Sequence, residues 1–201
     1  MPVPKYRSAT GRGVQAATSL LSAIIAAALM MPAAHAAAPA DKPGLDNFDE
    51  VAPHIYRGSN PNDEDLAKLK KMGVRTIVDL RMRHSRGEEL AAKRLGLKWV
   101  HMSMGYWAPS DQRVKEIMEV LSDANNGGVF IHCKQGADRT GTIVGLYRIL
   151  VQNWSFDEAY NEMRAHHFKP WWFALKEKVE TYSQNTGLAQ VALQDKEKLE
   201  E

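Results

Sequence analysis

The sequence predicts an α/β fold with a mainly parallel central sheet flanked by helices. Short apolar runs rich in β-branched residues alternate along the chain with segments of helical periodicity. Breaks rich in glycine and asparagine separate the two kinds of segment, as at Asn125–Gly128. Because strand, helix and strand at this spacing form a right-handed crossover, we expect successive strands to lie parallel, with helices on both faces of the sheet.

Local patterns place the elements of the first half of the domain. The strand candidates are Ile55–Arg57, which ends at Gly58, then Val74–Leu80, Leu97–Met102 and Val129–His132. The helix candidates run from a cap at Asn62 or Asp63 to Lys71, from Arg86 to Arg94, and onward from a cap at Ser110 or Asp111.

After the last strand, the chain is predicted to be helical. Thr140–Val151 forms one helix. Ser155 and Glu158 form a capping box for a second helix, which runs to about Ala165. A third helix covers Trp172–Tyr182.

The amino-terminal segment has the layout of a secretory signal peptide. Three basic residues and no acidic one precede an apolar run from Leu20 to Met31, and Ala34-His35-Ala36 is a cleavage site of small residues. The run is shorter than the roughly 20 residues that span a bilayer. We therefore expect cleavage after Ala36, a periplasmic or secreted protein, and no stable membrane insertion after cleavage.

The rest of the chain is predicted to form one domain. Residues 37–46 are rich in alanine and proline and are expected to be a flexible tail. The folded domain is placed at residues 47–184. Residues 185–201 form a charged carboxyl-terminal tail.

The charge balance and the cysteine count exclude several classes of function. The chain has 26 Lys+Arg and 24 Asp+Glu, a net charge of +2, and the leader alone contributes three basic residues. The mature chain would therefore carry 23 basic and 24 acidic residues, a net charge of −1, which gives no electrostatic basis for binding nucleic acid. The only cysteine is Cys133, so an internal disulfide and a zinc site with four cysteine ligands are excluded. This cysteine is of interest for its reactivity.

The chemically informative segment follows the last predicted strand. Cys133 stands at the carboxyl end of that strand, Arg139 follows six residues later, and a helix then begins. Ligands bind at this edge of a parallel sheet, and helix amino termini attract anions. A loop of this length can curl so that its N–H groups form a nest for a tetrahedral oxyanion. Arg139 can then hold two phosphate oxygens through its planar guanidinium.

The same surroundings favour a nucleophilic thiolate. A free cysteine has a pKa near 8.5, and a helix amino terminus with a nearby cation lowers it to roughly 3.5–7.5. The thiolate can attack phosphorus in line and form a cysteinyl-phosphate, which water then hydrolyses. Thr140 can donate its hydroxyl to the sulfur, and His132 can orient the loop from behind.

His132-Cys133, five further residues and Arg139-Thr140 resemble the signature of the cysteine-dependent protein tyrosine phosphatase superfamily. Residues 47–182 look like its compact dual-specificity branch. Ile55–Gly58 and Gln152–Ser155 are similar to the atypical dual-specificity phosphatases of plants and fungi. The exported, single-domain layout also resembles bacterial periplasmic tyrosine phosphatases that regulate exopolysaccharide and biofilm formation. The resemblance implies the compact protein tyrosine phosphatase fold and chemistry without a metal or an organic cofactor.

The resemblance implies specific roles around the loop. Cys133 is the nucleophile and Arg139 the phosphate clamp. The backbone from Lys134 through Gln135, Gly136 and Ala137 is the phosphate cradle. Lys134 and Gln135 also stand at the mouth of the loop, where they either add positive field and hydrogen bonds for the substrate or are solvated surface.

The general acid is the point at which the sequence departs from the family. Relatives usually carry an aspartate on a separate loop before the cysteine, where this chain has Ser103 and then the segment 104–111. Asp111 is one candidate, and its alternative role is that of a helix cap. Asp138 is the other, because some bacterial relatives have an aspartate just before the loop arginine; its alternative role is to tie the loop to a neighbour. Tyr106 and Trp107 are candidates for the pocket wall.

The sequence thus predicts an exported phosphatase acting on phosphotyrosine, and on phosphoserine and phosphothreonine if the pocket is shallow. Its partner is a phosphorylated envelope protein, and no pattern defines the oligomeric state. An inositol polyphosphate or pyrophosphate phosphatase is the first alternative, although such anionic substrates call for more basic residues than Lys134 and Arg139. A non-catalytic phosphate-binding module is the second. Such modules usually lack the cysteine or the arginine, and this chain has both.

Overall fold

The computed structural model describes residues 42–185, which a five-stranded sheet organises. The strands are β1 (Asp49–Ala52), β2 (Ile55–Gly58), β3 (Val74–Asp79), β4 (Lys98–His101) and β5 (Gly128–His132). The helices are α1 (Asp63–Lys71), α2 (Arg86–Arg94), α3 (Asp111–Ser122), α4 (Asp138–Gln152), α5 (Phe156–Ala165) and α6 (Phe173–Gln184). The predicted signal peptide, residues 37–41 of the predicted tail and residues 186–201 lie outside the described residues.

The strand order is β1-β2-β5-β3-β4, so β5 lies at the centre of the sheet. Strand β5 pairs in parallel with both β2 and β3, and β3 pairs in parallel with β4. Only the edge pair β1 and β2 among these five strands is antiparallel. The predicted α/β fold with a mainly parallel sheet is confirmed.

Alternation along the strands divides the core into two layers. In β5, Val129 and Ile131 join the larger cluster, which α3, α4, α5 and α6 cover, whereas Phe130 joins the smaller cluster under α1 and α2. Helix α4 is buried over almost its whole length and lies against both α5 and α6. The sheet therefore places the residue after β5 between two helical layers.

Capping side chains begin three helices where the sequence predicts. Asn62 accepts from the N–H of Asp65 in a capping box, and Ser110 accepts from the N–H of Arg113. Ser155 forms a second capping box with Glu158. These local hydrogen bonds satisfy amide groups that a helix end leaves free, so they are readable from the sequence.

One missed strand and one helix start are the differences from the predictions that bear on the site. Strand β1 was not predicted, because its exposed residues Asp49 and Glu50 do not resemble a strand, and it forms through pairing with β2. Helix α4 begins at Asp138 rather than at Thr140. The helix therefore includes the candidate acid Asp138 and Arg139 in its first turn.

The carboxyl end of the predicted tail is attached to the domain. The N–H of Gly44 donates to the Asp65 carboxylate over 3.0 Å, and Pro43 is buried. The carbonyl of Asp46 accepts from the N–H of Ser59 over 2.8 Å. These contacts differ from the flexible tail expected over residues 37–46.

Within residues 42–185, no helix combines the length and the apolar character that crossing a bilayer requires.

Arg148 of α4 connects three elements of the larger core. Its guanidinium pairs with Glu162 of α5 and donates to the carbonyl of Val51 in β1 over 2.5 Å. We expect Arg148→Met to lower the free energy of unfolding by about 3 kcal/mol, because the nearly buried Glu162 would lose its counter-charge. Urea denaturation measures this change.

The matched control is Arg94→Met, which removes an exposed ion pair with Asp63. Surface pairs contribute about 1 kcal/mol or less, so this variant should unfold at nearly the wild-type urea concentration. Equal losses in the two variants would contradict a structural role for the Arg148 network.

Candidate active site

The structure brings Cys133 and Arg139 together at the carboxyl end of the central strand. Cys133 follows β5 directly and is 2% exposed, and Arg139 lies in the first turn of α4 and is 6% exposed. The loop between them thus joins a buried parallel strand to a helix amino terminus, the arrangement that favours anion binding.

Gly136 lets this loop pack against the end of β2. Its φ is +68°, in the left-handed region that favours glycine. A Cβ at this position would lie 2.4 Å from the carbonyl carbon of Gly58 and 2.7 Å from the nitrogen of Ser59. The backbones also bond directly, since the N–H of Asn60 donates to the carbonyl of Lys134 over 3.3 Å. The curvature of the loop therefore depends on a glycine at position 136.

Arg57 lies beneath the loop and is fully buried. Its Nη2 donates to the carbonyl of Gly136 over 2.8 Å, whereas Nε and Nη1 have no hydrogen-bond partner among the described residues. Burial lowers the pKa of Arg57 to about 10, and the negative charges of Glu162 and Cys133 partly oppose that shift. Arg57 is thus a positive charge placed behind the loop.

Sequence reasoning assigned Arg57 only to a strand. The signal that could have found it is a charged residue inside a short strand, immediately before a glycine. A charge at such a position needs a specific partner, since burying it unpaired is costly.

Arg139 contacts an aromatic pair. Its Nη2 donates to the hydroxyl of Tyr106 over 3.3 Å, and its guanidinium carbon lies 4.8 Å from the centre of the Tyr106 ring. Tyr106 in turn stacks on Trp172, with ring centres 4.0 Å apart and an angle of 15° between the ring planes. The Nε of Arg139 has no partner among the described residues, so the guanidinium retains donors for an anion.

Other predicted loop residues divide between the interior and the surface. The Thr140 hydroxyl is buried and makes no hydrogen bond within the described residues, so the predicted bond to the Cys133 sulfur is not formed in this structure. Ala137 is buried, whereas Lys134 and Gln135 are exposed. Gln135 accepts from Nζ of Lys169 over 2.8 Å.

The two candidate acids are both engaged elsewhere. Asp138 accepts from the backbone N–H of Lys169 over 2.9 Å and pairs with Nζ of the same lysine at 3.2 Å. Asp111 accepts from Lys178 at 2.6 Å and from the Tyr182 hydroxyl at 2.9 Å, both on α6. These hydrogen bonds hold the pKa of Asp111 below its usual range. The contacts of Asp111 thus stabilise its carboxylate, the form that has no proton to give.

A buried polar network supports the loop from behind. His132 Nδ1 lies 3.2 Å from the carbonyl oxygen of Cys133, and His132 Nε2 lies 2.9 Å from Oε1 of Glu88 without a well-aligned hydrogen bond. Trp99 and Arg81 both donate to the Glu88 carboxylate. Burial raises the pKa of Glu88, but the hydrogen bonds and charges of these partners outweigh it and hold that pKa below its usual range.

The same network contains a possible metal-ligand set. Ligand atoms of Asp79, Glu88 and His132 lie within 4.8 Å of one another. However, Nη2 of Arg81 lies 2.8 Å from Asp79 and 2.6 Å from Glu88. The guanidinium already pairs with both carboxylates, so this donor set fits an ion-pair network better than a metal.

A cleft of about 350 Å³ opens beside the loop. Its lining residues are Asp46, Asn47, Gln135, Ala137, His167 and Lys169. His167 Nδ1 lies 2.8 Å from the side-chain oxygen of Asn47, whose Nδ2 donates to the Gln135 carbonyl over 2.8 Å. The turn between α5 and α6, which contains His167, therefore lies next to the loop.

Replacing Gly136 tests how the loop is shaped. We expect Gly136→Ala to lose stabilisation by inorganic phosphate and turnover of an aryl phosphate, because the left-handed backbone alone costs about 1–2 kcal/mol for a residue with a Cβ. The close approach to Gly58 adds to that cost. Thermal unfolding with and without phosphate measures the first effect.

Gly87→Ala is the matched control. A Cβ there would meet no atom within 4 Å, and the backbone of Gly87 is not left-handed. Wild-type phosphate binding in both variants would show that the loop does not depend on Gly136.

Comparisons with known proteins agree with this site. Residues 38–181 match the family model described as DSP-PTPase phosphatase fused to NAD+ kinase. The dual specificity protein phosphatase TpbA of Pseudomonas aeruginosa is 30% identical over 155 residues, covering 72% of this chain and 70% of TpbA. The inositol diphosphatase SIW14 of Saccharomyces cerevisiae is 32% identical over 131 residues, covering 61% of this chain and 46% of SIW14.

Solved structures show the same fold. The core catalytic domain of SIW14 in complex with citrate has a TM-score of 0.64 at 26% identity, covering 77% of this chain and 94% of that domain. The P. aeruginosa TpbA structure has a TM-score of 0.60 at 24% identity, covering 78% of this chain and 97% of TpbA. The family model and TpbA each match most of the length of this chain. The chain therefore belongs to the DSP-PTPase family and is a cysteine-based phosphatase.

Proposed function

We propose that the protein is an exported phosphatase that hydrolyses phosphotyrosine esters, and phosphoserine and phosphothreonine esters, through a cysteinyl-phosphate intermediate. The observation that carries this proposal is the placement of Cys133 and Arg139 at the two ends of a loop whose backbone Gly136 packs against β2. TpbA, a similar protein, is named a dual specificity protein phosphatase. A cysteine-to-serine variant of TpbA has been crystallised in complex with phosphotyrosine.

In the first step, the Cys133 thiolate attacks phosphorus in line with the ester oxygen. An S–P bond forms, and the P–O bond to the alcohol or phenol breaks with its electron pair on the leaving oxygen. Arg139 and the N–H groups of the loop bind the other phosphoryl oxygens, whose charge develops in the transition state. In the second step, water attacks phosphorus, the S–P bond breaks and the thiolate returns.

The positive charges around the loop favour a substrate with one phosphate. Lys134 is exposed beside the cradle, but Nζ of Lys169 is already paired with Asp138. The cleft next to the loop also contains the carboxylate of Asp46. The Tyr106–Trp172 pair adds an aromatic surface beside Arg139, which suits an aryl ester.

An inositol polyphosphate or pyrophosphate substrate is the second candidate. SIW14 is named an inositol diphosphatase, and the cleft beside the loop offers space next to Lys169 and His167. A polyphosphorylated ring could place further phosphates there if the Lys169–Asp138 pair opened.

The export proposal depends on the amino-terminal sequence. Basic residues, an apolar run and small residues at Ala34 and Ala36 precede the domain in the order that secretion signals use. The substrate would then be a phosphorylated protein of the cell envelope.

Turnover of a generic aryl phosphate tests the role of the cysteine. We expect Cys133→Ser to abolish turnover, because a serine hydroxyl at this position has no base to activate it, while inorganic phosphate still raises the melting temperature. Full activity in Cys133→Ser would contradict the mechanism. Loss of both activity and phosphate stabilisation would point to misfolding, which circular dichroism detects.

A direct comparison of substrates separates the two candidates. We expect kcat/KM for a phosphotyrosine peptide to exceed that for an inositol pyrophosphate, because few unpaired positive charges surround the loop. Enzyme assays with equal ionic strength measure both values. A higher value for the inositol pyrophosphate would make the second candidate the correct one.

A further inference from the structure

The connection between β4 and α3 brings a tyrosine, rather than an aspartate, to the loop arginine. Tyr106 contacts Arg139, whereas the candidate acids Asp111 and Asp138 are paired with lysines. We propose that Tyr106 is the general acid that protonates the leaving oxygen. This assignment depends on the phosphatase function proposed above.

The geometry leaves the proton of Tyr106 available. In the contact of 3.3 Å, Nη2 of Arg139 donates and the tyrosine oxygen accepts. Within residues 42–185, the Tyr106 hydroxyl donates no hydrogen bond. Its proton is therefore free for an acceptor on a bound substrate, next to the guanidinium that holds the phosphate.

Two neighbouring side chains contact the ring of Tyr106. Trp172 stacks on one face at 4.0 Å, and the guanidinium of Arg139 lies over the ring at 4.8 Å from its centre. A catalytic acid must be held within hydrogen-bond reach of the atom it protonates. Stacking against Trp172, at the start of α6, supplies that fixed position.

The hydrogen-bonding contacts also favour the tyrosine. A tyrosine hydroxyl can donate as well as accept a hydrogen bond, and within residues 42–185 no contact uses the proton of Tyr106. Asp111 accepts from a lysine and a tyrosine of α6, which hold its pKa below its usual range, and Asp138 is bound by the backbone N–H and Nζ of Lys169. Either carboxylate would first have to break its contacts with a lysine.

The proton and electron balance closes over the two steps. As the P–O bond breaks, the leaving oxygen takes the bonding pair and receives the proton of the Tyr106 hydroxyl. The resulting phenolate lies beside the Arg139 guanidinium, whose positive charge stabilises it. When water attacks the cysteinyl-phosphate, the phenolate takes the water proton, and the tyrosine is restored.

A series of aryl phosphates with different leaving groups tests this assignment. Phenyl phosphate needs a proton on its leaving oxygen, whereas dinitrophenyl phosphate releases a stable anion without one. We expect Tyr106→Phe to lower kcat on phenyl phosphate by about 100-fold, the lower range of general acid catalysis. On dinitrophenyl phosphate it should change kcat by less than about threefold. The dependence of kcat on leaving-group pKa should therefore become steeper.

Tyr160→Phe is the matched control, since Tyr160 lies on α5 against Phe156 and Lys176. In Tyr160→Phe, the dependence of kcat on leaving-group pKa should be the same as in the wild type. An equal loss of kcat on phenyl phosphate and on dinitrophenyl phosphate in Tyr106→Phe would overturn the assignment. A dependence of kcat on leaving-group pKa that changes in Asp138→Asn but not in Tyr106→Phe would overturn it as well. Absence of all aryl phosphate turnover in the wild type would instead reject the proposed function itself.

Discussion

The close approach of the loop after β5 to the end of β2 is the constraint on which the site depends. Gly136 lies so near the Gly58 backbone that a side chain at position 136 cannot fit. The parallel pairing of β2 with β5 sets that approach, and Arg57 completes it by binding the Gly136 carbonyl from below. One packing contact therefore curves the loop and places a positive charge behind it. The shape of the loop is therefore a consequence of how two neighbouring strands end.

The surroundings of the loop are organised by charge as well as by shape. Behind it, His132 and Glu88 lie in a buried network in which Arg81 pairs with Glu88. On another side of it, Arg139 contacts Tyr106, which stacks on Trp172. Fixed hydrogen-bond donors aimed at the position where charge develops are the basis of electrostatic catalysis. The contacts of Arg139 and His132 fix these polar groups next to Cys133, as the proposed mechanism requires.

Local signals made much of this structure predictable, and contacts distant in sequence account for the rest. Capping residues such as Asn62 and Ser155 act within one helical turn, and the position of Cys133 at a strand end follows from an apolar run before a glycine-containing loop. The contact between Arg57 and Gly136 instead joins residues 79 positions apart, and that between Tyr106 and Arg139 joins residues 33 apart. The hydrophobic periodicity of a sequence does not indicate which residues distant in sequence come into contact. The sequence therefore located the reactive loop, with His132 behind it and Tyr106 near it, but not the contacts that Arg57 and Tyr106 make with the loop.

Detection of the covalent intermediate tests the central claim most directly. Rapid quenching of the enzyme with an aryl phosphate carrying labelled phosphorus should trap label on the protein before steady state, and peptide mapping should place it on Cys133. The amount of labelled phosphate trapped on the protein should approach one per active enzyme if hydrolysis of the intermediate is the slower step. Turnover without any trapped label on fast time scales, or label on a residue other than Cys133, would contradict the account.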